Sequence, residues 1–172
     1  GWLWVPHGLV FLLTQERDLP SARELVMTND DLWAQFHDPG SGLLSRYSHL
    51  MLADIRDVYA TARIELGKTL VKAGMLVEAK RQFESAIALE GDTQLADSYM
   101  YLGLVEFALG NCDAALSAFK TAREKNLTPD PNLTLFESQT YRDCVGDAKR
   151  ADELLEEYQK LLKKQETPLS PR

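Results

Sequence analysis

Apolar residues recur at helical spacing along most of the chain, and one stretch of that pattern is written twice. Ala79, Phe83, Ala86 and Ile87 fall on one face of a helix, and Ala115, Phe119 and Ala122 restate that face 36 residues later. Leu66-Gly67 recurs as Leu102-Gly103 and Gly74 as Gly110, at the same offset. A further step reaches Gly146, Ala151, Leu155 and Tyr158, where the turn glycine and the alanine survive but the Leu-Gly pair has become Ser138-Gln139. Each copy reads as two helices, the first closed by a glycine able to adopt the left-handed conformation. Gly91-Asp92 and Thr128-Pro129-Asp130-Pro131 punctuate the copies. The pattern therefore predicts antiparallel pairs over 58–73/76–89, 95–109/112–125 and 132–144/147–163. A sheet of three or more strands is incompatible with it.

Upstream the pattern is less regular. Pro20 opens a short helical stretch with Ser21 and Glu24 at capping-box spacing. Thr28 or Asn29 is read as the cap of a second one carrying Leu32, Trp33 and Phe36. His37-Asp38-Pro39-Gly40-Ser41-Gly42 breaks the chain. Beyond it Tyr47, Met51, Ile55, Val58, Ala62 and Leu66 form one apolar stripe, predicting a long or kinked helix that runs into the first repeat. The opening Trp2-Leu3-Trp4-Val5 and Leu9 to Leu13 is apolar but interrupted by Pro6-His7-Gly8. The resulting division is an N-terminal irregular, short-helix capping segment over 1–42, a helical repeat domain over 43–164 and a disordered tail over 165–172. An end repeat needs a neighbour to cover its apolar face, and the N-terminal segment is the candidate.

The Leu-Gly pair, turn glycine, small alanine, aromatic and second alanine, in that order from Leu66 to Ala86 and from Leu102 to Ala122, resemble the tetratricopeptide repeat family. The resemblance covers roughly residues 58 to 162. It implies an all-α solenoid of helical hairpins, with two good repeats, one degenerate repeat and an N-terminal helical capping region. The period of 36 exceeds the roughly 34 typical of the family, and the family's closing proline is Gly91 in the first copy and slips to Pro129 in the second. The run Trp4-Val5-Pro6-His7-Gly8-Leu9-Val10-Phe11, followed by short helices and repeats, also resembles a junction in bacterial protein O-mannosyltransferase-like polytopic proteins. There, membrane helices precede a soluble helical-repeat tail on the far side of the membrane. A chain that begins at Gly1 rather than Met fits a fragment of something longer.

The family's ligand face is the first helix of each pair. Its pattern puts Thr61, Ile64, Lys68, Val71 and Lys72 on that face in the first copy, and Asp97, Met100, Leu104, Phe107 and Ala108 in the second. The partner-binding residues expected from it are Ile64, Lys68, Val71, Lys72, Met100, Leu104 and Phe107. Such a groove either takes a peptide or helix of a partner or is filled by the chain's own Trp2, Leu3, Trp4 and Phe11; the filled groove is the favoured expectation. The positions at which the family grips a terminal carboxylate hold Thr61, Glu65, Asp97 and Tyr101, so that partner class is not expected. The same register brings Cys112 and Cys144 to one edge of the stack, close to the bridging limit of about 7 Å. Neighbouring free thiols are the simpler expectation and a disulfide the alternative.

Composition narrows the function. The net charge is −7, and no cluster of four Lys or Arg offsets it, so nucleic acid and anionic lipid are not expected partners. Lys160, Lys163 and Lys164 alternate with Glu156, Glu157 and Glu166 as a solvated helix face. No run of about 20 apolar residues spans a bilayer. His7, His37 and His49 are scattered, and no phosphate-cradling, dinucleotide or nucleophile-elbow motif is present. Neighbouring carboxylates such as Asp30-Asp31 and Asp152-Glu153 sit at solvated helix positions. Asn126-Leu127-Thr128 and Asn132-Leu133-Thr134 match the glycosylation pattern, which has meaning only in a eukaryotic secretory route. The reading is a non-catalytic protein–protein interaction module without cofactor or metal. Its partner is a protein, a peptide, its own N-terminal segment or a parent membrane domain. The alternative is a soluble accessory domain of a membrane-bound glycosyltransferase-like enzyme, on the extracytoplasmic face; otherwise the location is cytoplasmic.

Overall fold

The computed structural model describes residues 1–36, 50–89, 95–126 and 128–166. The breaker at His37 to Gly42, the boundary after residue 42, Tyr47, Gly91-Asp92 and residues 167–172 of the expected tail lie outside these, whereas Gln165 and Glu166, expected in that tail, are helical. The chain is mostly helical and forms two compact units, Gly1–Ser98 and Tyr99–Arg172. No helix among the described residues is long and apolar enough to cross a membrane.

The first unit opens with a feature the helical reading did not contain. Strands β1 (Trp2–His7) and β2 (Val10–Gln15) pair antiparallel, with Trp4 opposite Leu13 and His7 opposite Val10. Pro6-His7-Gly8, read above as an interruption, leads into the turn of a hairpin. Gly8 has φ +62°, and a Cβ there would come within 2.9 Å of the Phe36 ring. Asn29, on helix α1 (Ala22–Gln35), fixes this turn: its Oδ1 accepts from the Gly8 amide at 2.8 Å, and its Nδ2 donates to the Pro6 carbonyl at 3.0 Å. Asn29 is thus not a helix cap. With its side chain committed to the hairpin and to the Leu25 carbonyl behind it, α1 runs unbroken through Thr28. The capping box at its start is present: Ser21 and Glu24 each accept the other's amide.

Helix α2 (Leu50–Lys72) packs on α3 (Leu76–Ala88). Of the expected stripe, Ala62 and Leu66 are buried, but Ile55 and Val58 are exposed; Ala60, Ile64 and Leu70 are buried besides. Tyr59 turns toward α1, where it meets Trp33 and Phe36 edge-on at 5.7 and 6.1 Å. Gly67 lies directly against Phe83: a Cβ would stand 2.6 Å from the ring.

In the second unit, α4 (Leu95–Ala108) contributes Met100 to a core with Ala115, Phe119 and Ala122 of α5 (Cys112–Lys125) and Leu133 of α6 (Pro131–Thr140). Gly103 meets Phe119 as Gly67 meets Phe83, with an added Cβ 2.5 Å from the ring. Asp130 caps α6 by accepting the Asn132 amide at 2.8 Å, and Pro131 occupies the first turn, where its missing amide costs nothing. A single π turn, Tyr141–Val145, extends α6 before α7 (Ala148–Glu166), and α6 packs on α7. Cys112 and Cys144 are joined by a disulfide, Cα to Cα 5.7 Å, which overturns the expectation of free thiols. The helix-opening Cys112 and the π turn bring the two Cα atoms inside the range a bridge requires.

The turns share one chemistry. Gly74, Gly110 and Gly146 have φ of +75°, +82° and +83°. The Met75 amide donates to the Leu70 carbonyl, and the Asn111 amide to that of Glu106, both at 2.9 Å. This six-to-one closure satisfies a carbonyl that the helix end would orphan. At the third turn the Asp147 amide reaches Tyr141, one residue further back, because the π turn adds one residue.

Candidate functional site

The seven residues expected to bind a partner fall in two groups. On α2, Ile64 is 3 % exposed and belongs to the core. Val71 is half-buried, and Lys72 is exposed at the helix end. Lys68 Nζ donates to Glu65 Oε1 at 2.6 Å, one turn back on the same surface. On α4, Met100 is 7 % exposed and lies inside the core of the second unit. Leu104 is half-buried, and so is Phe107, which packs against that core. The surface available to a partner on α2 is therefore Lys68, Val71 and Lys72. On α4 it is the outer parts of Leu104 and Phe107.

The filled-groove expectation is overturned. Trp2 and Trp4 are 60 and 69 % exposed, and Leu3 and Phe11 also face solvent. The reason is the strand pairing: it commits the backbone of residues 2–7 and 10–15 to each other, and their side chains stand out from the ribbon.

Two open clefts carry arginines that the sequence did not single out. One, of about 390 Å³, is lined by Asp30, Trp33, Ala34, Arg63, Arg81 and Ser85 in the first unit. The Arg63 guanidinium lies 3.7 Å over the Trp33 ring and donates to Gln82 Oε1 at 2.8 Å. Burial pulls its pKa down to about 10; Asp30 opposes that shift and Arg81 adds to it. Arg81 grips both oxygens of Asp30, at 2.9 and 2.6 Å. Two guanidiniums thus share one carboxylate, which suits the cleft to an anionic group. It is not suited to nucleophilic chemistry: the Ser85 hydroxyl donates to the Arg81 carbonyl at 2.8 Å, one turn back along its own helix.

The second cleft, of about 440 Å³, includes Lys120, Arg123, Glu137, Tyr141 and Arg150. Arg123 bonds Glu137 and also donates to Glu157 at 3.1 Å, so it is neutralised on two sides. The hydrogen bond to Glu137 is the main cause that raises its pKa, outweighing burial. This is a brace between α5, α6 and α7. Among the described residues no group of His, Cys, Asp and Glu could hold a metal ion. The chain matches no protein-family model and no curated protein.

Arg63 over Trp33 leaves no local signal, since the partners are 30 residues apart and come from different helices. The hairpin, by contrast, has a local signal. Residues 2–7 and 10–15 are apolar runs of strand length, separated by a Gly-containing turn.

Proposed function

We propose that this chain is a non-catalytic module of the tetratricopeptide type, which binds a peptide or helix of another protein along the first helices of its pairs. The observation that carries the reading is the recurrence of one hairpin chemistry at an offset of 36. The Gly67–Phe83 contact returns as Gly103–Phe119, and the Met75–Leu70 backbone bond returns as Asn111–Glu106. The Ala79–Met75 bond returns as Ala115–Asn111 and again as Ala151–Asp147. On this reading Lys68, Val71 and Lys72 of α2 meet an acidic and apolar segment on the first unit, and Leu104 and Phe107 of α4 separately supply apolar contact on the second. The test is selection of peptides from a displayed library on the immobilised chain, followed by calorimetric titration. Lys72→Glu lowers affinity for selected peptides about tenfold, equivalent to about 1.4 kcal/mol. Leu104→Ala costs about 2 kcal/mol if that side chain is an anchor. Selected peptides that bind both variants as tightly as the parent chain would refute this placement.

The disulfide favours a second reading, the accessory domain of a membrane-bound glycosyltransferase-like enzyme. Disulfides persist in oxidising compartments, and an extracytoplasmic tail meets that condition. Recovering Cys112 and Cys144 fully reduced from the native host, with alkylation at lysis, would remove that support.

A further inference from the structure

The β1–β2 hairpin exposes large apolar side chains on both of its faces. Residues directly opposite in an antiparallel pair share a face, and successive residues alternate. One face therefore carries Trp2, Trp4, Phe11 and Leu13; the other carries Leu3, Val10 and Leu12. All seven are exposed. The turn end is the fixed end: Pro6 and Gly8 are buried, and Asn29 holds the backbone there. From Trp2 to Gln15 the chain has no Asp, Glu, Lys or Arg, whereas Glu16, Arg17 and Asp18 follow at once.

We propose that this hairpin lies in the interfacial layer of a zwitterionic phospholipid bilayer and holds the chain at a membrane surface. The proposal concerns a different surface from the helical one above and does not rest on it. Three physical arguments select this occupant. The first is area. A face two strands wide and six residues long offers on the order of 200 Å², well short of the roughly 800 Å² per partner of a stable complex. A second copy seated on one face would also leave the other in water. A bilayer interface surrounds both faces at once. The second is charge: the strands offer no ionic group to complement, and the chain's net charge of −7 sets it against anionic lipid. The third is residue type. Tryptophan favours the headgroup boundary, with its ring in the apolar layer and its indole N–H toward water or ester oxygens. Among the described residues the outer edges of the hairpin have no strand partner, and hydrocarbon cannot satisfy their amides and carbonyls. That confines it to the hydrated interface.

The chain has its own optical probes, because its tryptophans are Trp2, Trp4 and the buried Trp33. The 172-residue chain is titrated with phosphatidylcholine vesicles, some carrying a brominated acyl quencher, and bound protein is separated by flotation. Expected are a blue-shifted emission, quenching by the bromolipid, and a loss of apparent vesicle affinity of about tenfold or more in the Trp2→Ser/Trp4→Ser variant. Phosphatidylserine is expected to give no gain. Far-UV circular dichroism of the variant should match the parent chain, since both side chains are exposed. A more conservative Trp4→Tyr variant should retain intermediate binding. Failure to float at millimolar lipid overturns the proposal, and so does equal flotation of parent and double variant. A tryptophan-dependent dimer in sedimentation without vesicle binding also overturns it and assigns the surface to a second copy. Vesicle-independent pairing of an added β-strand with the hairpin edge, without flotation, does the same for a protein partner.

Discussion

Gly103 and Phe119 are expected to be coupled, and the coupling has a calculable sign. Phe119 is fully buried, and its ring stacks on Phe136 at 6.4 Å. A methyl group at position 103 would stand 2.5 Å from the ring, closer than real carbon atoms approach. Gly103→Ala gains about 1 kcal/mol of helix propensity and loses about 1–3 kcal/mol by overpacking. The net expectation is destabilisation by about 1 kcal/mol. Phe119→Leu removes the ring and leaves a partial void, at a cost of about 1–2 kcal/mol. In the double variant the alanine methyl enters the vacated space, so the overpacking cost vanishes while the propensity gain remains. The double variant should therefore be more stable than the sum of the single effects by about 1–3 kcal/mol, the overpacking cost that vanishes. Urea titration followed at 222 nm measures this, with the disulfide kept oxidised and unchanged slopes required for comparison. Additivity within about 0.5 kcal/mol would show that the contact does not govern this hairpin. For scale, Phe119→Ala should cost about 3–5 kcal/mol.

Reduction of Cys112–Cys144, which are 32 residues apart in sequence, should destabilise the chain by about 3–4 kcal/mol on the loop-entropy account; equal thiol labelling with and without reductant would disprove the bridge. Asn29→Leu strands the buried Gly8 amide and Pro6 carbonyl, at about 1–3 kcal/mol for each group left unpaired. Amide exchange at Gly8 should accelerate selectively, and unchanged protection there would count against the clamp. Hydrogen bonding to the Ser21 hydroxyl and amide lowers the Glu24 pKa below the ordinary carboxylate value. Its contribution is therefore complete above that ordinary value and is lost as pH falls through the folded one. Glu24→Gln should flatten that part of the acid limb in a pH series of melting temperatures, whereas an unaltered limb would exclude Glu24 as its source.

Helix positions were legible because the signals are local. Glycines at 74, 110 and 146 mark the turns, Ser21 and Glu24 mark one start, and the 36-residue recurrence aligns the pairs. Side-chain accessibility within those helices was less legible. Ile64 and Met100 occupy positions that the family pattern assigns to a ligand face, yet both are core. A helix in contact with neighbours on more than one side buries more than one stripe, and periodicity reports only the strongest. The hairpin was hidden by a different competition. Its two strands are apolar on both faces and lack the alternation that marks a half-buried strand. Asn29 misled for the same reason that it is useful: an amide that can cap a helix can equally hold a distant backbone turn.

The third hairpin shows what takes over when the glycine–aromatic contact is absent. Where the others have Gly and Phe, α6 has Gln139 and α7 has Leu155. A glycine is needed only where a ring presses on the backbone, so both losses belong together. Other ties are concentrated there. The Ser138 hydroxyl donates to the Ala151 carbonyl at 2.8 Å, in the buried seam between α6 and α7. Arg123 joins α5 to Glu137 of α6 and Glu157 of α7, and Arg142 of the π turn bonds Asp152. The disulfide then fixes the π turn to the start of α5. Exposed ion pairs contribute little individually, about 0–1 kcal/mol, so Arg142–Asp152 is a minor tie. Glu137 is nearly buried, and truncating Arg123 would leave its carboxylate uncompensated, the costly way to break such a pair. Ring packing depends on shape alone, whereas the disulfide depends on oxidation. The α6–α7 end should therefore loosen first under reductant, while the α2–α3 pair, held by Phe83 against Gly67, should not respond to it.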